Sequence, residues 1–349
     1  MKTARILLAM TIAVSLFLAL TAGDSISILP TARGYAQMTY DSESGQVVLF
    51  GGQTGEWGDP AAQNFETWLY NPETNVWTQM PSSKNPPDSL PSGWTAGDMT
   101  YNSKADRSIL SIISGDWSTL ETWAYDDNSD TWTRLADGPA SIIGQRIVYD
   151  AESDRIIMFG GLILPAFAWY DETWAYDYNT DTWTNMNPRL QPSVRNYQGM
   201  VYDSKADRIV MWGDWKYLLR SHKPDRSVWT YDYNTNTWQE FEHRKDGPAS
   251  RDYQTLAYDE KNDKIIMYGG YEWGNDETWI YDLNTDTWQQ LYPVTNPGVI
   301  SRYTMVYARD ANKTILFGGQ DGPNYYQYKD ETWLYDLKHN KWTNAAEED

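Results

Sequence analysis

Six times along the chain a Trp is followed by a second Trp nine residues later: Trp68 and Trp77, Trp123 and Trp132, Trp174 and Trp183, Trp229 and Trp238, Trp279 and Trp288, Trp333 and Trp342. The first Trp of each pair lies in a strand-like motif: ETWLY (66–70), ETWAY (121–125), ETWAY (172–176), SVWTY (227–231), ETWIY (277–281) and ETWLY (331–335). These motifs recur at intervals of 50 to 55 residues. Chance does not produce six equal Trp-to-Trp spacings. A period near 50 residues marks a stack of repeated units, none of which can bury its own faces alone.

Two further strand signals precede each Trp pair. The first ends in Tyr: MTYD (38–41), MTYN (99–102), IVYD (147–150), MVYD (200–203), LAYD (256–259) and MVYA (305–308). The second is a short apolar run closed by glycine: VVLFGG (47–52), SIISGD (111–116), IIMFGG (156–161), IVMWGD (209–214), IIMYGG (265–270) and TILFGG (314–319). Asp-, Asn- and Ser-rich segments separate them, as in side-chain-stabilised turns. Each unit therefore reads as four short antiparallel strands, A to D. In strand C the Trp and Tyr are two apart and share a face, which the neighbouring unit must cover. The repeats fall at about 31–80, 92–135, 142–186, 193–241, 249–291 and 300–345. The expected fold is all-β, a six-bladed β-propeller over 31–345 with no strand exchanged between its termini.

The di-glycine after an apolar strand, then Tyr and Trp at fixed distance, resembles the kelch repeat. The resemblance covers nearly the whole chain after the first 30 residues. Two units depart from it with Gly115-Asp116 and Gly213-Asp214, and the second has three extra residues between Tyr101 and its glycine, which predicts a bulge or a longer strand.

Composition narrows the function. A formal net charge of −20 argues against nucleic acid, whose phosphates call for clustered Lys and Arg. With 19 Trp and 26 Tyr but 7 Phe, the aromatic content is weighted toward rings with a polar tip, suited to half-buried sheet positions and binding surfaces. Lys2 and Arg5, the apolar run Ile6 to Leu20, and Thr21, Ala22 and Gly23 have the layout of a signal peptide over 1–23, or of an uncleaved anchor. The expected location is secreted, periplasmic or cell-surface, with no other membrane contact and a monomeric state.

The strand order puts the A–B and C–D loops at one end and the B–C and D–A loops at the other. The first end has tight turns of near-constant length. The second is irregular and aromatic, and variable loops on a rigid scaffold carry function. The kelch resemblance implies the same ligand face. Candidate ligand residues there are Arg33, Arg195, Arg251 and Arg302, with Trp57, Trp94, Trp117, Trp215, Trp273, Tyr325 and Tyr326. Arg offers a planar fork for carboxylates, although its recurrence before strand A also fits a structural role. Arg251 and Trp273 flank one blade mouth and form the best pair.

Catalytic signals are sparse. Galactose oxidase, of the same fold class, uses a Cys-linked Tyr in its copper site, and this chain has no Cys. His222, His243 and His339 are scattered, so neither metal nor cofactor is expected. Asp126, Asn128 and Asp130, like Asp177, Asn179 and Asp181, alternate oxygen side chains but lack the Gly and Glu of a calcium loop, and read as Asx turns. The expected function is an exported module recognising a protein or glycan. The alternative is a sugar-active enzyme similar to the sialic acid mutarotase family, with Glu56, Glu272 or Asp214 as proton carrier.

Overall fold

The structure is a computed structural model that describes residues 29–55, 59, 62–82, 86, 97–163, 166, 168–213, 226–242, 246–251, 253–270, 275–321 and 327–347. It is a β-propeller-type all-β fold. Six four-stranded antiparallel sheets each consist of strands A, B, C and D of one unit, in that order. Strand A is Gln37–Asp41, Asp98–Asn102, Arg146–Asp150, Gly199–Asp203, Leu256–Asp259 and Thr304–Ala308 in units 1 to 6. Both terminal units supply all four of their own strands. Strand A of each unit touches strand A of the next, and that of unit 6 touches that of unit 1.

Burial along the strands follows their rank from the axis. Strand B, such as Gln46–Phe50 or Arg155–Phe159, has neighbours on both edges and both faces, and four of its five residues are buried. That is why it reads as a continuous apolar run and not as an alternation. Strand D is the outer edge, and in Thr131–Arg134 only Trp132 is buried. In unit 2 the extra residues lengthen Arg107–Ile113 and Leu120–Asp126 into seven-residue strands in unbroken register from Ser108↔Tyr125 to Ile113↔Leu120. The departure is a longer strand, without a bulge.

The strand D Trp joins neighbouring sheets. Trp77, Trp132, Trp238 and Trp342 pack on Phe317, Phe50, Phe159 and Tyr268 of the preceding unit, with ring centroids 5.0, 5.0, 5.1 and 5.1 Å apart. Their indole N–H groups donate to Thr332, Thr67, Thr173 and Thr278 of that unit at 2.9–3.1 Å. Trp183 donates to Thr122 at 3.2 Å, but Ser111 replaces the aromatic partner and Trp183 stays half-buried. The strand C Trp residues, expected between sheets, are buried only at Trp68 and Trp229; Trp123, Trp174, Trp279 and Trp333 remain partly accessible. Where ETW is present, the indole N–H donates to the Glu two residues before it.

Candidate functional site

The six strands A line an axial channel of about 350 Å³. Among the described residues, its mouth is shaped by the residue five positions before the last Tyr of strand A in units 1 and 3 to 6. At that level Tyr35 (φ 57°), Gly144 (φ 69°), Tyr197 (φ 52°), Tyr253 (φ 53°) and Arg302 (φ 60°) are all left-handed. Left-handed backbone is unusual for a bulky residue and costs on the order of 1–3 kcal/mol. Main-chain hydrogen bonds tie the level together, from Tyr35 N to Arg302 O (2.8 Å), Tyr197 N to Gly144 O (2.9 Å) and Tyr253 N to Tyr197 O (3.3 Å).

The side chains at this level converge. The Arg302 guanidinium lies 5.2 Å from the Tyr35 ring centre and 5.1 Å from that of Tyr253, in cation–π range of both. Tyr253 stacks on Tyr197 at 4.3 Å and meets Tyr35 edge-on at 5.9 Å. Arg302 also donates to Gln320 Oε1. Burial pushes the Tyr197 phenol far above its ordinary range, opposed by the positive charges of Arg146 and Arg302. Two residues further along the strands, Arg146 Nη1 donates to Asp98 Oδ1 at 3.3 Å. Burial pushes the Asp98 carboxyl up, while Arg146 and the Ile147 amide pull it down.

Of the four arginines expected at the mouth, the structure turns three away from it. Arg33, Arg195 and Arg251 are 0–3% exposed. They stand seven residues before the strand A Tyr, and Arg302 stands five before it. Arg33 donates to the carbonyls of Thr31 and Gly51, to Asn64 and, at 2.8 Å, to Glu66. Arg251 likewise reaches the Ala249 and Gly269 carbonyls and Glu277 at 2.7 Å. Arg195 donates to the Ser193 and Gly213 carbonyls. Arg33 and Arg251 thereby clamp the end of strand B to the start of strand C within their units, and Arg195 holds the end of strand B. Glycine after strand B makes room for the chain they belong to; a Cβ on Gly160 would lie 2.5 Å from the Arg195 carbonyl oxygen.

Trp117 is also left-handed (φ 62°) and packs with Trp169 and Tyr253 on a small cluster of Ile113, Ile143, Leu162 and Tyr197 beside the mouth. Trp57, Trp94, Trp215, Trp273, Tyr325 and Tyr326 lie outside the described residues, as do Glu56, Glu272, Asp214, His222 and His243. His339 is exposed at the turn end, its Nδ1 2.8 Å from Asp336. Tyr35, Tyr197, Tyr253, Asp98 and Arg146 were not among the sequence candidates. A signal for the tyrosines was present in RGY (33–35), RNY (195–197) and RDY (251–253), two residues after each structural Arg.

The turn end spends its polar groups on itself. Asp177 Oδ1 accepts the Asn179 and Thr180 amides, and Asp181 Oδ1 accepts the Tyr176 hydroxyl. Asp126 accepts the Asn128 amide, and Asp130 the Tyr125 hydroxyl. Asp41, Asp106 and Asp127 bring carboxylate oxygens within 4.8 Å of one another there. Among the described residues no helix is long and apolar enough to cross a membrane.

Residues 206–348 match a family model described as the KLHDC2/KLHL20/DRC7 Kelch-repeats domain. Mei4-dependent protein 6 of Schizosaccharomyces pombe is 26% identical over 141 residues, 38% of this chain and 20% of that protein. A xyloglucanase of Paenibacillus sp is 21% identical over 209 residues, 58% of this chain and 20% of the enzyme. The chain thus spans about a fifth of the length of either relative. The matched region holds units 5 and 6 and most of unit 4, and units 1 to 3 repeat the same strand order and Trp geometry. Over residues 206–348 the chain is thus similar to kelch-repeat domains.

Proposed function

We propose that the protein is an exported six-bladed kelch propeller that binds a protein or glycan ligand at its B–C/D–A end, over the channel mouth. Kelch repeats are in general protein-interaction modules, which supports the binding role. The observation that carries the placement is the left-handed level of Tyr35, Tyr197, Tyr253 and Arg302, large side chains held at a backbone cost around an open channel. Strain of this kind persists where function uses it. The opposite end has its carboxylates and hydroxyls occupied by its own turns. Export rests on the charged start and the apolar run from Ile6 to Leu20.

Arg302 and Tyr253 replace Arg251 and Trp273 as the pair to test. With a ligand identified by pull-down and glycan array, R302A/Y253A is expected to weaken binding by about tenfold or more, as hot spots of roughly 2 kcal/mol do. N128A/N284A, exposed at the turn end, is expected to leave affinity unchanged. Loss of binding in the turn variant alone would move the site to the other end. The sugar-active reading is favoured by one feature, the half-buried acid Asp98 in the channel, and a mutarotation assay comparing wild type with D98N tests it.

A further inference from the structure

The first residue of strand A faces the channel at one level, and across the six units it is Gln37, Asp98, Arg146, Gly199, then Thr255 just before the assigned strand, and Thr304. Four of these are neutral. The two charged ones are adjacent in the ring and paired, so charge at this level is confined to one side of the channel.

The pair is incompletely used. Arg146 Nε donates to the Gln198 carbonyl at 2.7 Å and Nη1 to Asp98. Its Nη2 has no hydrogen-bond partner among the described residues, yet it is not sealed off, since the side chain keeps 17% of its exposure. Asp98 Oδ2 accepts the Ile147 amide at 2.8 Å, and its side chain keeps 16%. A carboxylate has about four acceptor positions and a guanidinium five donors, so both groups retain capacity toward the channel. At about 350 Å³ the space lies near the lower end of small-molecule pockets, roughly 300–1,000 Å³.

We infer that the Asp98–Arg146 pair is a binding site for a small zwitterion, of the class of free α-amino acids, distinct from the macromolecular site over the mouth. The ligand carboxylate would take Arg146 Nη2, and its ammonium would take Asp98. Charges then alternate around four groups, and the ligand adds no net charge to a partly desolvated site. A lone anion or cation would add one, at the cost that burial imposes on unpaired charge.

The test is calorimetric titration and thermal shift of the purified chain with glycine, alanine and serine, against acetate, ethylammonium and glucose. The amino acids are expected to bind and raise Tm, with the single-charge and neutral compounds at least about tenfold weaker. D98N and R146M should each lower amino-acid affinity by about tenfold or more, and R302A/Y253A should affect it far less than it affects the macromolecular ligand. Should R146M fail to fold, D98N and the wild-type selectivity still decide. No binding of any amino acid at millimolar concentration, acetate binding as well as glycine, or glycine affinity unchanged in D98N would each overturn the inference.

Discussion

At Tyr176 the phenol donates 2.6 Å to Asp181 Oδ1, and Asp181 is left-handed at φ 53°. The same bond, from a strand's last Tyr to an Asp or Asn five residues on, closes eleven of the twelve hairpins at the turn end. Gly45 occupies the twelfth position after Tyr40, also left-handed at φ 73°. Asp and Asn serve because their short side chains tolerate this conformation while accepting the phenol. Such turns crowd carboxylates, and Asp127 shows the consequence. Burial, then the negative charge of Asp41, pushes its carboxyl up to about 6. An unfolded Asp titrates near 4, at roughly 3.9. The folded state therefore holds the Asp127 proton more tightly than the unfolded chain. The stability linked to that proton is fully present below about pH 4 and is lost as pH rises through about 6. D127N is expected to raise Tm at pH 8 and to leave it unchanged at pH 4, measured by thermal melts at both values. An equal shift at both would mean that Asp127 acts through packing and not through its charge.

Unit 4 breaks the pattern of its neighbours in two adjacent residues. Ser227 stands where the ETW units have Glu, and Val228 where they have Thr. Trp229 Nε1 and Trp288 Nε1 are both buried without a hydrogen-bond partner, whereas the equivalent indoles of the other units find theirs. The loss is local: Trp288 still packs on Trp212, with ring centres 5.4 Å apart. A buried donor left unpaired costs about 1–3 kcal/mol. V228T is therefore expected to raise stability by about 1 kcal/mol, and T173V, which removes the acceptor of Trp238, to lower it by about 1–3 kcal/mol, both read from denaturant midpoints. The strands, their order and their turns were legible in the sequence because Trp, Tyr and Gly recur at fixed offsets. The division of labour between the Trp residues was not. Spacing gives the face of a strand, but distance from the axis decides which Trp reaches the next sheet. The mouth was legible only in part for a related reason. Arg302 and Arg33 look alike before strand A, yet a two-residue difference in register sends one to the channel and seals the other under Glu66.

Around the whole ring, each sheet depends on the preceding one for the burial of its outer Trp, so the weakest seam sets where the molecule opens first. The seam between units 6 and 1 must hold without a covalent link and is densely bonded. Trp77 packs on Phe317 and donates to Thr332, Asn75 donates to the Ala345 carbonyl, and Arg33 N donates to the Lys329 carbonyl while the Arg33 carbonyl accepts from Gly319 N. The seam between units 2 and 3 keeps its Trp183–Thr122 bond but lacks the aromatic partner. The seam between units 4 and 5 keeps the ring contact but lacks the hydrogen bond, and Val228 lines it beside the orphaned Trp288. Ring contacts are non-directional and survive small shifts, whereas an unpaired buried N–H gains a water partner on opening, so desolvation favours opening there. Hydrogen exchange is therefore expected to be fastest, among the strands C and D, in Val228–Asp232 of unit 4 and Thr287–Leu291 of unit 5. V228T should slow exchange in both strands together and leave the 6–1 seam unaffected. Uniform protection of all six seams, or a V228T effect confined to unit 4, would show that the ring opens as one body and that the missing hydrogen bond does not set its weak point.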